Sequence, residues 1–480
     1  MYGLSREMLL YKILRTGIDG KMYFAIKSLY KATESSILVN NNVTEWFSTI
    51  QGVRQGDSLS PTMFNIFIND LACEIKRLNV GVKVGPEIIS ILLYADDVVI
   101  LSENTDDMQT LIDHVNSWCK KWKMKVNLKK SKVVHFRKQG EALSDIDIKL
   151  GNDTLSYVSQ YKYLGVYFDE YLDFTYHSRL ISESGSRALG ALIAKFKSSN
   201  CIGYESYKKL YETCVQPILN YGAEVWGYSS ETKTTLVQNR AMRVFLGVNQ
   251  RAPNIGMLGD LGWIPHCNTK HVCLLRYWNK LIDLDENRLT KRVFNTEYQV
   301  NGKWSKSVKK VLSALNMNDV YDEQTTCDLS LCKDRLFSNF EKNWFKEASK
   351  KPKLRTYCTY KNKLEPEKYV ITNLAPHERS ILAQFRLGTL PLEIELGRFA
   401  SLKCEERICK LCNDGSVEDE IHLLFNCKTY AKERKDFFEK VKVDTNNDVI
   451  YNLKYLFIEK CRQFAKYLSS VMEIRRSKLN

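Results

Sequence analysis

The chain has 480 residues, 44% of them hydrophobic, and carries a formal net charge of +15 at pH 7. The N-terminal segment MYGLSREMLLYK has no apolar core long enough for a signal peptide, and no stretch approaches the roughly 20 apolar residues of a membrane span. We therefore expect no membrane association, a nuclear or cytoplasmic location rather than secretion, and reduced cysteines. The positive charge favours a polyanionic partner, with an ordinary basic surface as the alternative.

The first part of the chain predicts helices, short strands and a loop. Apolar spacing predicts two helices over residues 5–30, and short strands follow at 37–39 and 46–50. The segment GVRQGDSLSPTMFNIFINDL, residues 52–71, predicts an irregular loop and then a helix. Ser58 or Ser60 would cap this helix.

The stretch IISILLYADDVVILS, residues 88–102, has two apolar runs around the acidic pair Asp96 and Asp97. It predicts a hairpin of buried strands with both carboxylates at the lip of an apolar sheet. Carboxylates so close together repel each other, and a divalent cation such as Mg²⁺ relieves that repulsion. A solvated surface turn is the alternative.

A helix over 105–123 is predicted next, and NLKKSKVVHF, residues 127–136, predicts a basic turn leading into a strand. YKYLGVYFD, residues 161–169, predicts a strand with Gly165 at a bulge or close backbone approach. From about 173 to 400 the pattern is mostly helical. The more polar segment 297–330 is the candidate linker.

A cysteine–histidine cluster in CKLCNDGSVEDEIHLLFNC has the spacing C-x2-C-x9-H-x4-C and consists of Cys409, Cys412, His422 and Cys427. This set suits a structural, tetrahedral Zn²⁺ site. The alternative is that these four residues do not form a common metal site. Cys404 is either not a ligand or a substitute for one of the four. The basic residues nearby would suit RNA phosphates: Arg407, Lys410, Lys428 and Arg434.

QGDSLSP, YADD, NLKKSK and YKYLGV follow one another within residues 52–168. In this order they resemble the palm of reverse transcriptases, in particular those of LINE-type non-LTR retrotransposons. The resemblance implies an RNA-directed DNA polymerase that takes an RNA template, a DNA primer or target and dNTPs. It also implies nucleotidyl transfer with two Mg²⁺ ions in a complete site. The C-terminal cysteine–histidine motif resembles that of LINE-type proteins.

Residue roles follow from the same resemblance. Asp96 would be the shared metal ligand, and Asp97 would be its neighbour or support the primer end. The residues implied to face the nucleotide, template or primer end are Gln55, Gly56, Ser60, Pro61, Tyr94, Ala95, Lys129 and Lys130. The implied primer grip is Tyr163, Leu164 and Gly165. For Gln55 and Gly56 an ordinary loop is the alternative, and for the two lysines it is plain solvation.

The chain departs from the family pattern before Ser5. The family palm begins with an Asp-bearing strand that precedes a helix resembling SREMLLYKIL, and here only MYGL precedes that helix. Asp57 and Asp70 are not obvious substitutes for the missing carboxylate. We therefore expect an N-terminally truncated polymerase with impaired catalysis. The alternative is a non-catalytic RNA- or DNA-binding relic of such an element.

The expected fold class is α+β: a partial palm with an antiparallel sheet and helices, then a mostly helical thumb and a C-terminal region with the zinc motif. The expected domains are a palm at 1–140, a primer-grip strand and helical thumb at 141–260, a helical connector at 261–400, the zinc motif at 401–435 and a C-terminal helix with a basic tail at 436–480.

In the thumb-like region, arginines near aromatic residues suit a surface for a phosphate backbone, although the aromatics also suit a helical core. These residues are Arg240, Arg243, Arg251, Tyr221, Trp226 and Phe245.

Overall fold

The computed structural model describes residues 4–54, 56–198, 202–228, 233–412 and 414–479. The α-helices are α1 (Arg6–Arg15), α2 (Gly20–Leu29), α3 (Ser60–Arg77), α4 (Thr105–Lys121), α5 (Thr175–Ser198), α6 (Tyr204–Leu210), α7 (Gln216–Leu219), α8 (Ala223–Trp226), α9 (Lys233–Leu246), α10 (Asn254–Leu261), α11 (His266–Ile282), α12 (Leu289–Gln299), α13 (Lys303–Ala314), α14 (Asn318–Asp322), α15 (Leu329–Ser349), α16 (Tyr357–Tyr360), α17 (Lys368–Ile371), α18 (Pro376–Arg386), α19 (Glu393–Phe399), α20 (Ala431–Val441), α21 (Val449–Glu459) and α22 (Cys461–Leu479). The strands are β1 (Glu34–Ser35), β2 (Leu38–Val39), β3 (Asn42–Val43), β4 (Phe47–Ser48), β5 (Val82–Val84), β6 (Glu87–Ile89), β7 (Ile91–Tyr94), β8 (Asp97–Ile100), β9 (Lys149–Leu150), β10 (Asp153–Thr154), β11 (Gln160–Tyr163) and β12 (Val166–Asp169). Short 3-10 or π-helical turns lie at Tyr211–Val215, Pro352–Leu354, Cys404–Glu406, His422–Asn426 and Lys428–Tyr430.

The chain divides into two compact units. The first unit comprises the residues up to Asp173 together with Asp285–Val300, and the second comprises Phe174–Leu284 and Asn301–Asn480. The strands named above all belong to the first unit, whereas the second is built from helices. The expected combination of helices and strands is therefore present, with helices predominating. None of the helices in the described ranges is both long and apolar enough to span a lipid bilayer.

The strands pair only as two-stranded antiparallel sheets in the described part of the chain: β1 with β4, β2 with β3, β5 with β6, β7 with β8, β9 with β10 and β11 with β12. Most of these pairs join strands that are adjacent in sequence. Asn40 and Asn41, which have positive φ values of 48° and 64°, form the kind of tight turn that closes such a hairpin. The continuous antiparallel sheet expected from the sequence is therefore replaced by separate hairpins.

Four amphipathic helices supply the core of the first unit. Helix α3 buries Phe64, Ile68 and Leu71 on one face, as their spacing predicts. Helix α4 begins after Asn104, whose side chain accepts a hydrogen bond from the Asp107 backbone N–H at 2.8 Å. The helices predicted over 5–30, 52–71 and 105–123 are confirmed. Neither Ser58 nor Ser60 caps α3, because its N-cap position is Leu59 and Ser60 is already inside the helix.

A buried lysine ties three of these helices together. Lys12 Nζ donates to Asp70 Oδ1 at 2.7 Å and to the Phe67 carbonyl oxygen at 2.6 Å. It also lies 3.8 Å from the centre of the Trp122 ring, and Trp118 Nε1 donates to the same Asp70 oxygen. Burial lowers the pKa of Lys12, and Asp70 opposes that shift. Asp70 therefore has a structural role in the core of the first unit.

We expect Asp70→Ala to destabilise the first unit by about 2 kcal/mol, because the Lys12 ammonium would stay buried without its anion while Asp70 itself is partly solvated. Urea denaturation followed by tryptophan fluorescence measures this loss, and Asp145→Ala at an exposed aspartate is the matched control. The double variant Lys12→Met/Asp70→Leu should recover most of the loss, since it removes both charges. Equal destabilisation by the single and double variants would show that packing, not charge, sets the effect.

The segment expected to be a linker, 297–330, is instead mostly helical. Helix α13 places Val308, Val311 and Leu312 on one buried face, and its lysines occupy the other face. The polarity that suggested a linker thus belongs to the outer side of an amphipathic helix. The segment is therefore largely helical, although the chain does pass from the first unit to the second within it, after Val300.

Helix α12 belongs to the first unit although it is distant in sequence. Arg292 Nε lies 3.0 Å from Glu87 Oε1 in the β5–β6 hairpin. Gly85, with a φ of +58°, packs so closely on Thr296 that an added Cβ would lie 2.6 Å from its hydroxyl oxygen. Helix α12 therefore supports the hairpin that directly precedes β7.

Candidate functional site

The YADD segment forms the tight hairpin expected from the sequence. Strands β7 and β8 are antiparallel, with Ile91 opposite Ile100 and Tyr94 opposite Asp97. Ala95 occupies the turn with a φ of 50°, a left-handed conformation that suits a two-residue hairpin loop. Asp96 therefore lies in the turn at the tip of the hairpin, and Asp97 is the first residue of β8.

The hairpin is more exposed than the apolar sequence predicts. Asp96 and Asp97 are both exposed, and Leu92 and Val98 are 37% and 39% exposed. The strands expected to be buried are only half-buried, because a lone strand pair can cover only one of its faces. Both carboxylates are solvated, so the desolvation penalty expected for an apolar sheet edge is small here.

The base of the hairpin is anchored through Ser90, which is buried. Its hydroxyl donates to the Val80 carbonyl oxygen, and its own carbonyl oxygen accepts from the Leu101 N–H at 2.9 Å. Gly81 follows Val80, and an added Cβ there would lie 2.7 Å from the Ile89 carbonyl oxygen. Ser90 thus anchors the base of β7–β8 to the chain before β5, while the acidic tip at the opposite end is exposed.

Tyr163, a predicted primer-grip residue, is half-buried and interacts electrostatically with the Asp97 carboxylate. Burial and the Asp97 carboxylate both raise the pKa of the Tyr163 hydroxyl. The neighbouring Leu164 and Gly165, with φ values of 47° and 85°, form the turn between β11 and β12. The expected single strand with a bulge at Gly165 is therefore a second hairpin, because both residues adopt the left-handed conformation of a tight turn.

Four further residues predicted to face the nucleotide or template belong to the loop before α3 or to the first turn of α3. Gln55 lies outside the described residues. Gly56 has a φ of +86° and open space around its missing Cβ, and Pro61 is exposed in the first turn of α3. Ser60, by contrast, is buried, and its hydroxyl donates to the Arg54 carbonyl oxygen at 2.7 Å. Ser60 therefore stabilises the loop through this buried hydrogen bond and is not exposed to a nucleotide or template.

Lys129 and Lys130 lie in an exposed turn, as predicted. The Lys130 carbonyl oxygen accepts a hydrogen bond of 3.0 Å from the Tyr161 hydroxyl, which connects this turn to β11. The strand expected after the turn is reduced to a bridge between Val133 and Tyr157.

No third carboxylate completes a metal-binding group with Asp96 and Asp97 in the described ranges. Only one set of three or more His, Cys, Asp or Glu side chains there is close enough to hold a metal ion, and it lies in the second unit. The hairpin alone therefore offers two carboxylates, both solvated.

That set is the predicted cysteine–histidine cluster: Cys409, Cys412, His422 and Cys427. The four ligand atoms lie within 4.8 Å of one another, with 4.0 Å between the sulfurs of Cys409 and Cys427. Cys412 Sγ lies 3.4 Å from His422 Nε2. Ligands of a tetrahedral Zn²⁺ lie roughly 3.4–3.8 Å from each other, so the donor set fits this ion. Cys404 is exposed and does not belong to the set.

Local structure explains the convergence of these ligands. A bridge between Ile408 and Val417 folds the first two cysteines into a knuckle, and the π-helical turn His422–Asn426 brings the last two ligands together. Burial raises the pKa of the Cys409 and Cys427 thiols, so they stay protonated unless a cation stabilises the thiolates.

Two buried glutamates in the nine-residue gap were missed by the sequence analysis. Glu418 accepts hydrogen bonds of 2.8 and 2.6 Å from Arg475 in α22. Glu420 accepts bonds of 3.1 and 2.7 Å from Arg355. Charged residues in a polar loop give no sequence signal of burial, and their partners lie 57 and 65 residues away.

The basic residues around the cluster have intramolecular partners. Arg407 donates to the Ile394 carbonyl oxygen and Arg434 to that of Cys427, both at 2.9 Å. Lys410 pairs with Glu393 at 3.0 Å and Lys428 with Asp414 at 2.6 Å. Their predicted role toward RNA phosphates stays a prediction, and their observed contacts stabilise the protein.

The aromatics of the thumb-like region divide into core and surface. Trp226 and Phe245 are fully buried, as the helical-core alternative predicts, whereas Tyr221 is half-exposed. The buried pair therefore cannot stack on bases.

The chain is similar to known proteins over most of the first unit and, in the longest matches, into the second. Residues 5–168 match the family described as reverse transcriptase (RNA-dependent DNA polymerase). The chain is 25% identical over 295 residues to the RNA-directed DNA polymerase from mobile element jockey of Drosophila funebris, covering 59% of this chain and 31% of that protein. It is 27% identical over 179 residues to the retrovirus-related Pol polyprotein from type-1 retrotransposable element R2 of Nasonia vitripennis, covering 35% and 17%.

A third relative, the probable RNA-directed DNA polymerase from transposon BS of Drosophila melanogaster, is 27% identical over 230 residues, which are 46% of this chain and 25% of that protein. The chain thus spans about a third or less of the length of these relatives. The matched segment contains the QGDSLSP loop, the YADD hairpin and the YKYLGV hairpin in the expected order. The chain therefore contains a reverse transcriptase domain homologous to those of the RNA-directed DNA polymerases of non-LTR retrotransposons.

Proposed function

We propose that the chain acts in RNA-directed DNA synthesis and that Asp96 and Asp97 hold the divalent metal for this reaction. The observation that supports this best is the exposed acidic tip of the β7–β8 hairpin, which lies within the segment that matches the reverse transcriptase family. An RNA template, a DNA primer and dNTPs are the substrates that the homology favours.

The proposed reaction is an in-line displacement at the α-phosphorus of a dNTP. The primer 3′-oxygen forms the new P–O bond, the bond to the bridging oxygen breaks, and pyrophosphate leaves. Mg²⁺ held by Asp96 and Asp97 would neutralise the charge that develops on the phosphoryl oxygens. Tyr163 and the Leu164–Gly165 turn would support the primer terminus, because YKYLGV resembles the family's primer grip and the Asp97 carboxylate acts electrostatically on Tyr163.

Asp96→Asn tests the metal role directly. Removing one carboxylate near a dication costs about 2 kcal/mol even in a solvated site, which is roughly a 30-fold loss of affinity. Electron paramagnetic resonance of Mn²⁺ binding measures this change, and Asp153→Asn on the exposed strand β10 is the matched control. Unchanged Mn²⁺ affinity in Asp96→Asn would contradict the proposed site.

Primer extension on an RNA template with Mg²⁺ and dNTPs tests the activity. Because no third carboxylate joins the pair in the described residues, we expect this chain to extend primers weakly. Extension that is robust and disappears in Asp96→Asn would show that two carboxylates suffice or that a further ligand comes from elsewhere.

A non-catalytic nucleic-acid-binding protein is the second candidate, and the incomplete carboxylate set favours it. This candidate predicts salt-dependent RNA binding that is unaffected by Asp96→Asn, with no extension product. Weak Mn²⁺ binding together with no synthesis would favour it over the polymerase.

A further inference from the structure

A basic cleft lies in the second unit, outside residues 5–168, which match the reverse transcriptase family. It encloses about 600 Å³ between the end of α9, the loop before α10, helix α15 and the end of α19. Its charged lining side chains are Arg243, Lys351, Lys353, Arg398 and Glu347. Gln250 and Asn254 add amide groups to the same wall.

The carboxylates near the cleft already form ion pairs with lysine or arginine side chains. Glu347 pairs with Lys350 at 2.6 Å. Lys353 and Arg398 both pair with the buried Glu395, at 3.4 and 3.1 Å, and Glu395 is further shared with Arg355. Cations therefore outnumber carboxylates around the cleft.

Arg243 is held in place without an ionic partner. One of its terminal nitrogens donates to Asn254 Oδ1 at 2.6 Å, and no carboxylate of the described residues pairs with it. Partial burial lowers the pKa of this guanidinium. A partly desolvated cation with no anion is costly, and an approaching anion offsets that cost.

An aromatic residue lies next to the cleft lining. The Arg251 guanidinium lies over the Phe399 ring, 4.2 Å from its centre, and Phe399 is 58% exposed. Both residues directly follow lining residues, Gln250 and Arg398. An exposed ring beside a basic groove is a stacking surface for a nucleobase, which a free phosphate ion would not use.

We propose that this cleft binds the sugar–phosphate backbone of a single-stranded nucleic acid, with Arg243 and Lys351 contacting phosphates and Phe399 stacking on a base. The inference deepens the proposed function, since it adds a strand-binding site outside the reverse transcriptase domain. Its test does not depend on catalysis.

The test uses the full chain carrying Asp96→Asn and measures anisotropy of a fluorescent single-stranded oligonucleotide over a range of NaCl concentrations. Arg243→Gln/Lys351→Gln should weaken binding about tenfold at low salt. Loss of two phosphate contacts should lower the slope of log K against log salt by about 1.4. The matched control Lys440→Gln/Lys466→Gln removes two exposed charges outside the cleft and should change neither value. Phe399→Ala should weaken binding at least about fivefold with an unchanged slope, and it retains every charge.

Equal weakening by the cleft variant and the control would assign binding to diffuse charge and overturn the proposal. No weakening in the cleft variant, with its thermal melt preserved, would also overturn it. Inorganic pyrophosphate is the second probe. A cleft variant that loses pyrophosphate binding and keeps its oligonucleotide affinity would identify a site for small phosphates instead. The Asp96→Asn background separates all these outcomes from failure of the polymerase proposal.

Discussion

Cys427→Ser is expected to remove zinc from the cysteine–histidine cluster and to abolish cooperative melting of the second unit. Cys427 is fully buried, and the adjacent Leu423 and Leu424 are part of the large core of that unit. Structural zinc contributes about 10–16 kcal/mol of apparent binding free energy in small zinc peptides, a range comparable to the stability of a whole domain. Loss of the ion should therefore affect more than the surface loop.

The two buried glutamates explain why the effect should spread. Glu418 and Glu420 lie between the second and third ligands of the cluster, so the fold of the cluster sets their positions. Glu418 holds Arg475 in α22, and Glu420 holds Arg355 in the turn after Pro352–Leu354. If the loop unfolds, Arg475 keeps only Glu393 and Arg355 keeps only Glu395, and a buried charge that has lost part of its compensation is destabilising.

Metal analysis and circular dichroism melts measure this prediction. The intact chain should hold close to one zinc per molecule, and EDTA should lower its melting temperature. Cys404→Ser should retain zinc because this thiol is exposed and outside the cluster. His422→Cys should also retain it, since four thiolates suit the ion. An intact chain that melts identically with and without zinc would contradict the structural role.

Local patterns were sufficient to predict the clustering of the four cysteine and histidine side chains and the long helices of the first unit. The spacing of Cys409 and Cys412 restricts the chain to a knuckle, and the apolar stripe of α3 can be buried in only one way. The acidic hairpin was also predictable, because Asp96 and Asp97 interrupt two β-branched runs. Each of these features depends on residues that are close in sequence.

Features that depend on distant partners were not predictable in this way. Lys12 looks like a surface lysine until Asp70 and the tryptophans of the first unit surround it. The apolar runs of β7 and β8 suggested burial on both faces, yet periodicity alone cannot show whether other strands lie alongside. The same limit applies to the basic cleft, whose cations come from three separate segments.

Arg386 and Asp260 form a buried ion pair whose disruption should have the second large effect. Both side chains are essentially inaccessible to solvent, and Arg386 Nε and a terminal nitrogen donate to Asp260 oxygens at 2.8–3.0 Å. Tyr369 adds a hydroxyl donor to Asp260 at 2.6 Å. Aromatic rings surround the guanidinium: Tyr357, Tyr360, Tyr369 and Phe457, with centres 4.9–5.5 Å away.

Asp260→Ala should lower the free energy of unfolding of the second unit by about 3–5 kcal/mol, because it leaves Arg386 buried with only part of its anionic partners. The double variant Asp260→Leu/Arg386→Met should cost far less, since apolar residues of similar volume replace both charges. Guanidinium denaturation followed by circular dichroism measures both values. A loss below about 1 kcal/mol in Asp260→Ala would mean that Glu367 alone compensates the arginine.

Glu367 gives the pair a predictable pH dependence. Burial alone would raise the pKa of Glu367, but Arg386 at 3.1 Å and Lys361 at 2.7 Å lower it overall. A carboxyl group whose folded pKa is depressed stabilises the protein above its unfolded pKa, and this contribution is lost as pH falls through the folded value. Arg386→Met should therefore flatten the acid limb of the stability curve, measured from melting temperatures between neutral and acid pH. Lys361 would still lower the pKa of Glu367, so the loss of stability at acid pH should become less steep only in part. If Arg386→Met leaves that loss unchanged, Lys361 alone lowers the pKa of Glu367.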